Sequence, residues 1–184
     1  PTGGGTITTL ASGLNIVPDQ LALDAANLYW TVSNTRGVQR VSKTGSGLTT
    51  LYTATGNIRT GIASDGSYVY FSEATSILRT PVGGGSTTTV ATGVNTVSRI
   101  CVDSAYVYWS DYGDDNVARA PKSGGSVTVL ASQLNNPRGV AVNATHLFFA
   151  DGSNGRIMRV PLGGGAVETL ASGQSTPFAI AVDG

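Results

Sequence analysis

The sequence predicts an all-β chain of short four-stranded antiparallel sheets repeated at a fixed period, and three markers predict it. The residue closing the first apolar run of each unit falls at Asp24, Asp65, Asp103, Asn143 and Asp183, in steps of 41, 38, 40 and 40 residues. An arginine falls at Arg40, Arg79, Arg119 and Arg159, in steps of 39, 40 and 40. An aromatic-rich run keeps the same register: Leu28–Trp30, Val69–Phe71, Val107–Trp109 and Leu147–Phe149. A period near 40 with four strand-like runs per unit is the pattern of β-propeller blades.

Each run is short, rich in β-branched or aromatic residues, and bounded by Gly, Asn, Asp and Ser. In the fourth unit the first run, Gly139–Val142, is apolar on consecutive residues, as expected of an inner strand buried on both faces. Asn143-Ala144-Thr145 is short enough for a hairpin to His146–Ala150, a longer loop leads to Arg156–Val160, and Gly163-Gly164-Gly165 turns the chain into Ala166–Ala171. That last run alternates, as expected of an outer strand with one wet side. The same reading places complete blades at about 20–53, 59–91, 99–131 and 138–171. Residues 1–13 repeat residues 161–173 at nine of thirteen positions, offset by 160, and read as an orphan outer strand. Residues 178–184 read as an orphan inner strand. The expected architecture is a partial propeller excised from a larger ring. A five-unit ring with an incomplete blade, or closure by another copy or a complementing fragment through the open edges, are the alternatives.

Composition narrows the partners. The 184 residues carry 11 basic and 11 acidic side chains, for a formal net charge of zero, and only 12% are charged. The basic residues are dispersed, which argues against nucleic acid and anionic membrane as partners. No apolar run reaches membrane-spanning length. The single cysteine, Cys101, stands where other units have alanine and reads as a small buried thiol. With one histidine, His146, and that one cysteine, a zinc site or a Ser-His-Asp relay is unsupported.

The stretches Tyr108–Asp111 (YWSD), Leu134–Val142 (LNNPRGVAV) and Ile157–Gly164 (IMRVPLGG) resemble the YWTD propellers of low-density-lipoprotein-receptor type, and Asp151–Ile157 is similar to NHL propellers. The match departs at Tyr29–Val32 (YWTV), Tyr70–Glu73 (YFSE) and Phe148–Asp151 (FFAD). A bacterial relative, extracellular or attached to the envelope, fits better than a receptor domain with cysteine-rich neighbours. The resemblance implies six blades and ligand binding on one face of the disc, without chemistry.

A residue that recurs in every blade answers a need common to every blade. The repeat arginines are therefore expected to staple blades by pairing with the recurring acids, and Trp30, Phe71, Trp109 and Phe149 to fill the core between blades. A site is expected where the units differ. The loops entering the inner strands offer Asp19, Arg59, Arg99, Arg138 and Phe178; those between second and third strands offer Arg36, Glu73, Tyr112, Asp114, Asp115 and Asn154. Both sets fall on one face, around the mouth of the central channel. Their mix of Arg, acid and aromatic suits a peptide, a protein or a polar small molecule; the same residue types also build ordinary solvated turns. Asp111, Asp114 and Asp115 form the sole acidic cluster and a weak calcium candidate; no other cofactor is expected. The expected function is a non-enzymatic binding module, with a fragment of a metal-dependent propeller lactonase or lyase as the alternative.

Overall fold

The computed structural model of the chain describes residues 6–14, 18–32, 37–56 and 58–183, without the side chains of Arg59 and Thr60. Every regular element among them is a strand. The first blade is β1 (Pro18–Leu23), β2 (Asn27–Val32), β3 (Gly37–Ser42) and β4 (Thr49–Thr53). The second is β5 (Ile58–Ser64), β6 (Tyr68–Glu73), β7 (Ser76–Pro81) and β8 (Thr88–Thr92). The third is β9 (Val97–Val102), β10 (Tyr106–Asp111), β11 (Asn116–Pro121) and β12 (Thr128–Ala131), and the fourth is β13 (Pro137–Val142), β14 (His146–Asp151), β15 (Arg156–Pro161) and β16 (Glu168–Ala171). Each is an antiparallel sheet whose strands pair in sequence order. The innermost strands lie side by side, β1 on β5, β5 on β9 and β9 on β13, so the sheets radiate from a common axis.

Small residues let these inner strands approach. A Cβ on Gly61 would stand 2.7 Å from Cγ1 of Ile100 in the next blade, and one on Gly139 would stand 2.8 Å from the backbone nitrogen of Ile180. Residues 178–183 thus run against β13 in the place of a fifth inner strand, with no ladder pairing of their own. Residues 6–14 are likewise unpaired, and Leu10, Ala11 and Leu14 pack on Trp30, Val32 and Val41 of the first blade. A strand exists by its neighbours, and neither segment has a paired strand beside it among the described residues. Beside residues 9–14 lies an apolar cavity of about 310 Å³, lined also by Leu21 and Leu28.

The core is a series of inter-blade layers. Tyr29 and Val38 pack against Ile62, Val69 and Phe71; Tyr70 and Ile77 against Ile100, Val107 and Trp109; Tyr108 and Val117 against Leu147, Phe149 and Met158. The aromatic marker fills the core between blades, as expected, at Phe71, Trp109 and Phe149, whereas Trp30 is buried on the flank of the first blade under Leu10, Ala11 and Leu14. The turn closing each first hairpin is held by its acid: Asp103 Oδ1 accepts from the backbone nitrogens of Ala105 and Tyr106 at 2.7 and 2.6 Å, and Asp24 and Asp65 do the same.

Two of the four repeat arginines cross to the next blade, and their partners differ from the expectation. Arg40 donates to the carbonyl of Val82 and Arg79 to that of Lys122, the latter at 2.7 Å. Arg79 and Arg119 also stack over Tyr68 and Tyr106, at 4.6 and 4.3 Å from the ring centroids. Arg159 pairs with Glu168 of its own blade at 2.7 Å. The acids are already occupied by turn amides and tyrosine hydroxyls, so a main-chain carbonyl takes the guanidinium. An acid-to-base staple between blades joins Asp65 to Lys122.

Candidate functional site

The loops entering the inner strands and those between second and third strands interlock on one face. Leu134 donates its backbone N–H to Asp115 O at 3.0 Å, Gly152 to Asn136 O at 3.2 Å, and Gln174 to Gly155 O at 2.9 Å. The loops at 93–97 and 132–137 therefore each bond both the blade they leave and the blade they enter. Acids at the ends of the second strands hold them. Asp111, almost fully buried, accepts from the backbone nitrogens of Asn95, Thr96, Gly113 and Asp114 at 2.7, 2.8, 3.1 and 3.3 Å. Glu73 accepts from the Tyr52 hydroxyl and the Gly56 N–H, both at 2.5 Å. Asp151 accepts from the Asn135 N–H at 2.7 Å, from Asn154 Nδ2 at 2.9 Å and from Arg156.

Every inner strand begins with a β-bulge. The pairing slips between Pro18 and Leu21 on β1, Ile58 and Ile62 on β5, Val97 and Arg99 on β9, and Pro137 and Val140 on β13. A bulge re-aims the side chains it carries, and Asp19, Arg59, Ser98 and Arg138 fall in these slips. Buried hydroxyls of the aromatic motif pin the first and third bulges: Gln20 N–H donates to Thr31 Oγ1 at 3.3 Å and Arg99 N–H to Ser110 Oγ at 3.2 Å. Ser110 Oγ in turn donates to the Arg138 carbonyl at 2.5 Å, so one serine locates the backbones of both arginines. Across the channel, Gln20 Nε2 donates to Ser98 O at 2.9 Å.

The result is a cluster. The Arg99 guanidinium lies 4.8 Å from the Phe178 ring centroid; that of Arg138 lies 5.5 Å from Phe178 and 5.1 Å from Tyr112. Both arginines are half-buried, whereas Phe178 and Tyr112 stay 52% and 42% exposed and so offer ring surface to a ligand. Burial pushes the Arg99 guanidinium below its ordinary pKa; Asp19 works against that and the like charge of Arg138 adds to it. Arg138 Nε is buried and has no hydrogen-bond partner among the described residues.

Of the sequence candidates, the structure brings together Asp19, Arg99, Arg138, Tyr112 and Phe178. Glu73 and Asn154 turn toward loop-holding bonds, Asp114 accepts from Asn95 Nδ2 at 3.1 Å, and Asp115 accepts from the Asn136 N–H at 3.1 Å. Arg36 and the Arg59 side chain lie outside the described residues. Ser110 is the residue that sequence reasoning missed; the recurrence of a hydroxyl at Thr31, Ser72 and Ser110 was its signal. Among the described residues no group of three or more His, Cys, Asp or Glu is placed to hold a metal ion. Cys101 is only partly buried by area, packed with Tyr106 and Val142 between the third and fourth blades; burial, then the Asp103 charge, push its thiol pKa up, which keeps it a poor nucleophile. His146 sits at the start of β14, its Nδ1 2.8 Å from Thr145 Oγ1, at the opposite end of the strand from the loop face.

Radial four-stranded sheets with their inner-strand loops gathered at one mouth define a β-propeller. Solved structures agree. A chain of the nidogen/laminin complex superposes with a TM-score of 0.80 at 17% identity, over 96% of this chain and 72% of that one. Virginiamycin B lyase from Staphylococcus aureus, solved as a catalytically inactive H270A variant with quinupristin, gives 0.71 at 18% identity over 86% of this chain and 57% of its own. A streptogramin B lyase gives 0.75 at 14% identity over 88% and 57%. These likenesses show the fold, as the YWTD-like repeat motifs implied. No family model matches the chain, and no curated protein matches its sequence.

Proposed function

We propose that the chain is a non-enzymatic propeller module that binds a peptide, a protein segment or a polar small molecule at the mouth of its channel. The observation that carries this reading is the convergence of Arg99, Arg138, Tyr112 and Phe178 from two inner strands, one loop and the C-terminal segment, with both rings open to solvent. Mixed guanidinium and aromatic surface is the composition that carries binding energy at interfaces. The likeness to a chain of the nidogen/laminin complex, an assembly of two proteins, is in keeping with it. An extracellular or envelope setting belongs to the same reading, as does self-association through the first blade's open flank, where Leu21 and Leu23 are exposed.

The test is selection of a displayed random-peptide library on the immobilised chain, followed by titration of the selected peptides against the Tyr112→Ala, Phe178→Ala double variant. The selected peptides are expected to lose at least tenfold in affinity. Equal binding to both proteins would overturn the reading. The likeness to two streptogramin lyases supports a second reading, a fragment of a metal-dependent propeller lyase or lactonase whose catalytic residues lie in further blades. Titration with calcium, magnesium and manganese discriminates: a cation bound with two or more channel carboxylates favours the enzyme fragment.

A further inference from the structure

We propose that Arg99 and Arg138 form a carboxylate seat, with Phe178 and Tyr112 as its apolar walls, so that the ligand of the channel mouth carries a carboxylate beside an apolar or aromatic group. This rests on the preceding reading and gives it a chemical class. Two guanidinium groups converge on one phenyl ring, 4.8 and 5.5 Å from its centroid. Like charges held together in a partly desolvated place repel unless an anion joins them. The Asp19 charge favours the Arg99 cation, and a ligand anion at the mouth would do the same for both arginines.

The donors point the same way. Arg138 Nε, like Arg119 Nε on its blade flank, is a buried N–H with no acceptor among the described residues; at Arg138 the half-buried guanidinium also stands beside the exposed rings of Tyr112 and Phe178, where a ligand acceptor can join it. Arg99 donates from one terminal nitrogen to the Ser98 carbonyl at 3.0 Å, which fixes the orientation of its fork beside the Phe178 ring. A planar guanidinium fork matches the two oxygens of a carboxylate and gives direction as well as charge. The exposed rings of Phe178 and Tyr112 flank the guanidiniums, and apolar ligand surface laid on them would exclude water from the charged pairs.

Three small probes separate the sources of such a carboxylate: N-acetyl-phenylalanine (a terminal carboxylate next to a ring), its primary amide, and N-acetyl-aspartic acid N-methylamide (a side-chain carboxylate). Binding is followed by amide shifts in nuclear magnetic resonance at low and at 0.5 M salt. N-acetyl-phenylalanine is expected to bind at least tenfold more tightly than its amide, and to weaken with salt. Tighter binding of the aspartate probe would assign a side-chain rather than a terminal carboxylate. Arg138→Gln and Arg99→Gln are each expected to lose about tenfold toward the acid and nothing toward the amide, whereas Arg119→Gln, remote on a blade flank, keeps the full affinity. Equal affinity for acid and amide, or no shift with any probe, overturns the carboxylate seat. Library peptides that need Tyr112 and Phe178 but carry no carboxylate would overturn it while leaving the binding-module reading standing.

Discussion

The Tyr108 hydroxyl donates to Asp103 Oδ2 at 2.7 Å, and the same bond runs from Tyr29 to Asp24 at 2.6 Å and from Tyr70 to Asp65 at 2.9 Å. In the fourth blade both members change together: the phenol becomes Phe148 and the anchor becomes Asn143, which still caps its turn through Oδ1 to the N–H groups of Thr145 and His146. The charge is present where a hydroxyl is there to use it. Burial, then the Asp24 hydrogen bond and charge, push the Tyr29 phenol up to about 12, and Tyr70 and Tyr108 move the same way.

The pairing predicts a coupled mutant cycle. Asp103→Asn and Tyr108→Phe are each expected to cost about 1–2 kcal/mol. The double variant, which copies the fourth blade, should cost less than their sum by about 1 kcal/mol. Urea denaturation reads all three, and strict additivity would refute the coupling.

The Asp65–Lys122 staple predicts an acid limb in stability. Burial alone would raise the Asp65 pKa; Lys122, the amides of Tyr68 and Ser67, and the Tyr70 hydroxyl together hold it down to about 2, against an ordinary value of 3.8. Because the folded value lies below the unfolded one, the unfolded chain takes up the proton first. The stabilisation is therefore complete above about pH 4 and drains away as pH falls toward 2. After solvent screening it amounts to about 1–2 kcal/mol. Lys122→Met should shrink that slope in urea midpoints taken between pH 2 and 6; an unaltered slope would exclude Lys122 as its cause.

Arg119, which the sequence suggests would pair with a recurring acid, predicts a small effect instead. The guanidinium stacks on Tyr106 at 4.3 Å, and no carboxylate is stranded by its removal. Arg119→Ala should cost about 1 kcal/mol, the worth of a cation–π contact. A loss of several kcal/mol would reveal an acidic partner.

Gly139 predicts a separation of binding from stability. A Cβ there would come within 2.8 Å of Ile180 N and 2.9 Å of Ala179 Cα, in the segment that carries Phe178. That segment has no ladder bonds to lose. Gly139→Ala is expected to shift unfolding by about 1 kcal/mol yet to weaken library-selected peptides about as much as Phe178→Ala does. Retained affinity would show that Phe178 is not part of the site.

The repeating architecture was legible because every blade must satisfy the same packing, so Asp24, Arg40 and Tyr29 return at one spacing. The face of the site was legible too, since Arg99, Arg138, Tyr112 and Phe178 stand where the units disagree. Other relationships leave no mark in a string of letters. Arg79 meets the carbonyl of Lys122, and a carbonyl belongs to every residue alike. Glu73 reads in the sequence as a loop-face acid, but its carboxylate folds back to hold Tyr52 and Gly56, a direction fixed only once the neighbouring blade is in place. The bulges were missed because the slip changes how strands pair, not what they are made of.

Those bulges separate two kinds of instruction carried by one strand. Beyond the slip, from Leu21, Ile62, Ile100 and Val140 onward, each inner strand obeys the ladder and the inter-blade core. Ahead of it lie one to three residues per blade that the ladder leaves unpaired: Gly61 and Gly139 still serve the approach of the neighbouring inner strand, while Asp19 and Arg138 stand at the mouth of the channel. A propeller constructed in this way can be rewritten at its rim one sector at a time, exchanging arginine for aspartate or serine, while the wheel beneath keeps turning on the same spokes.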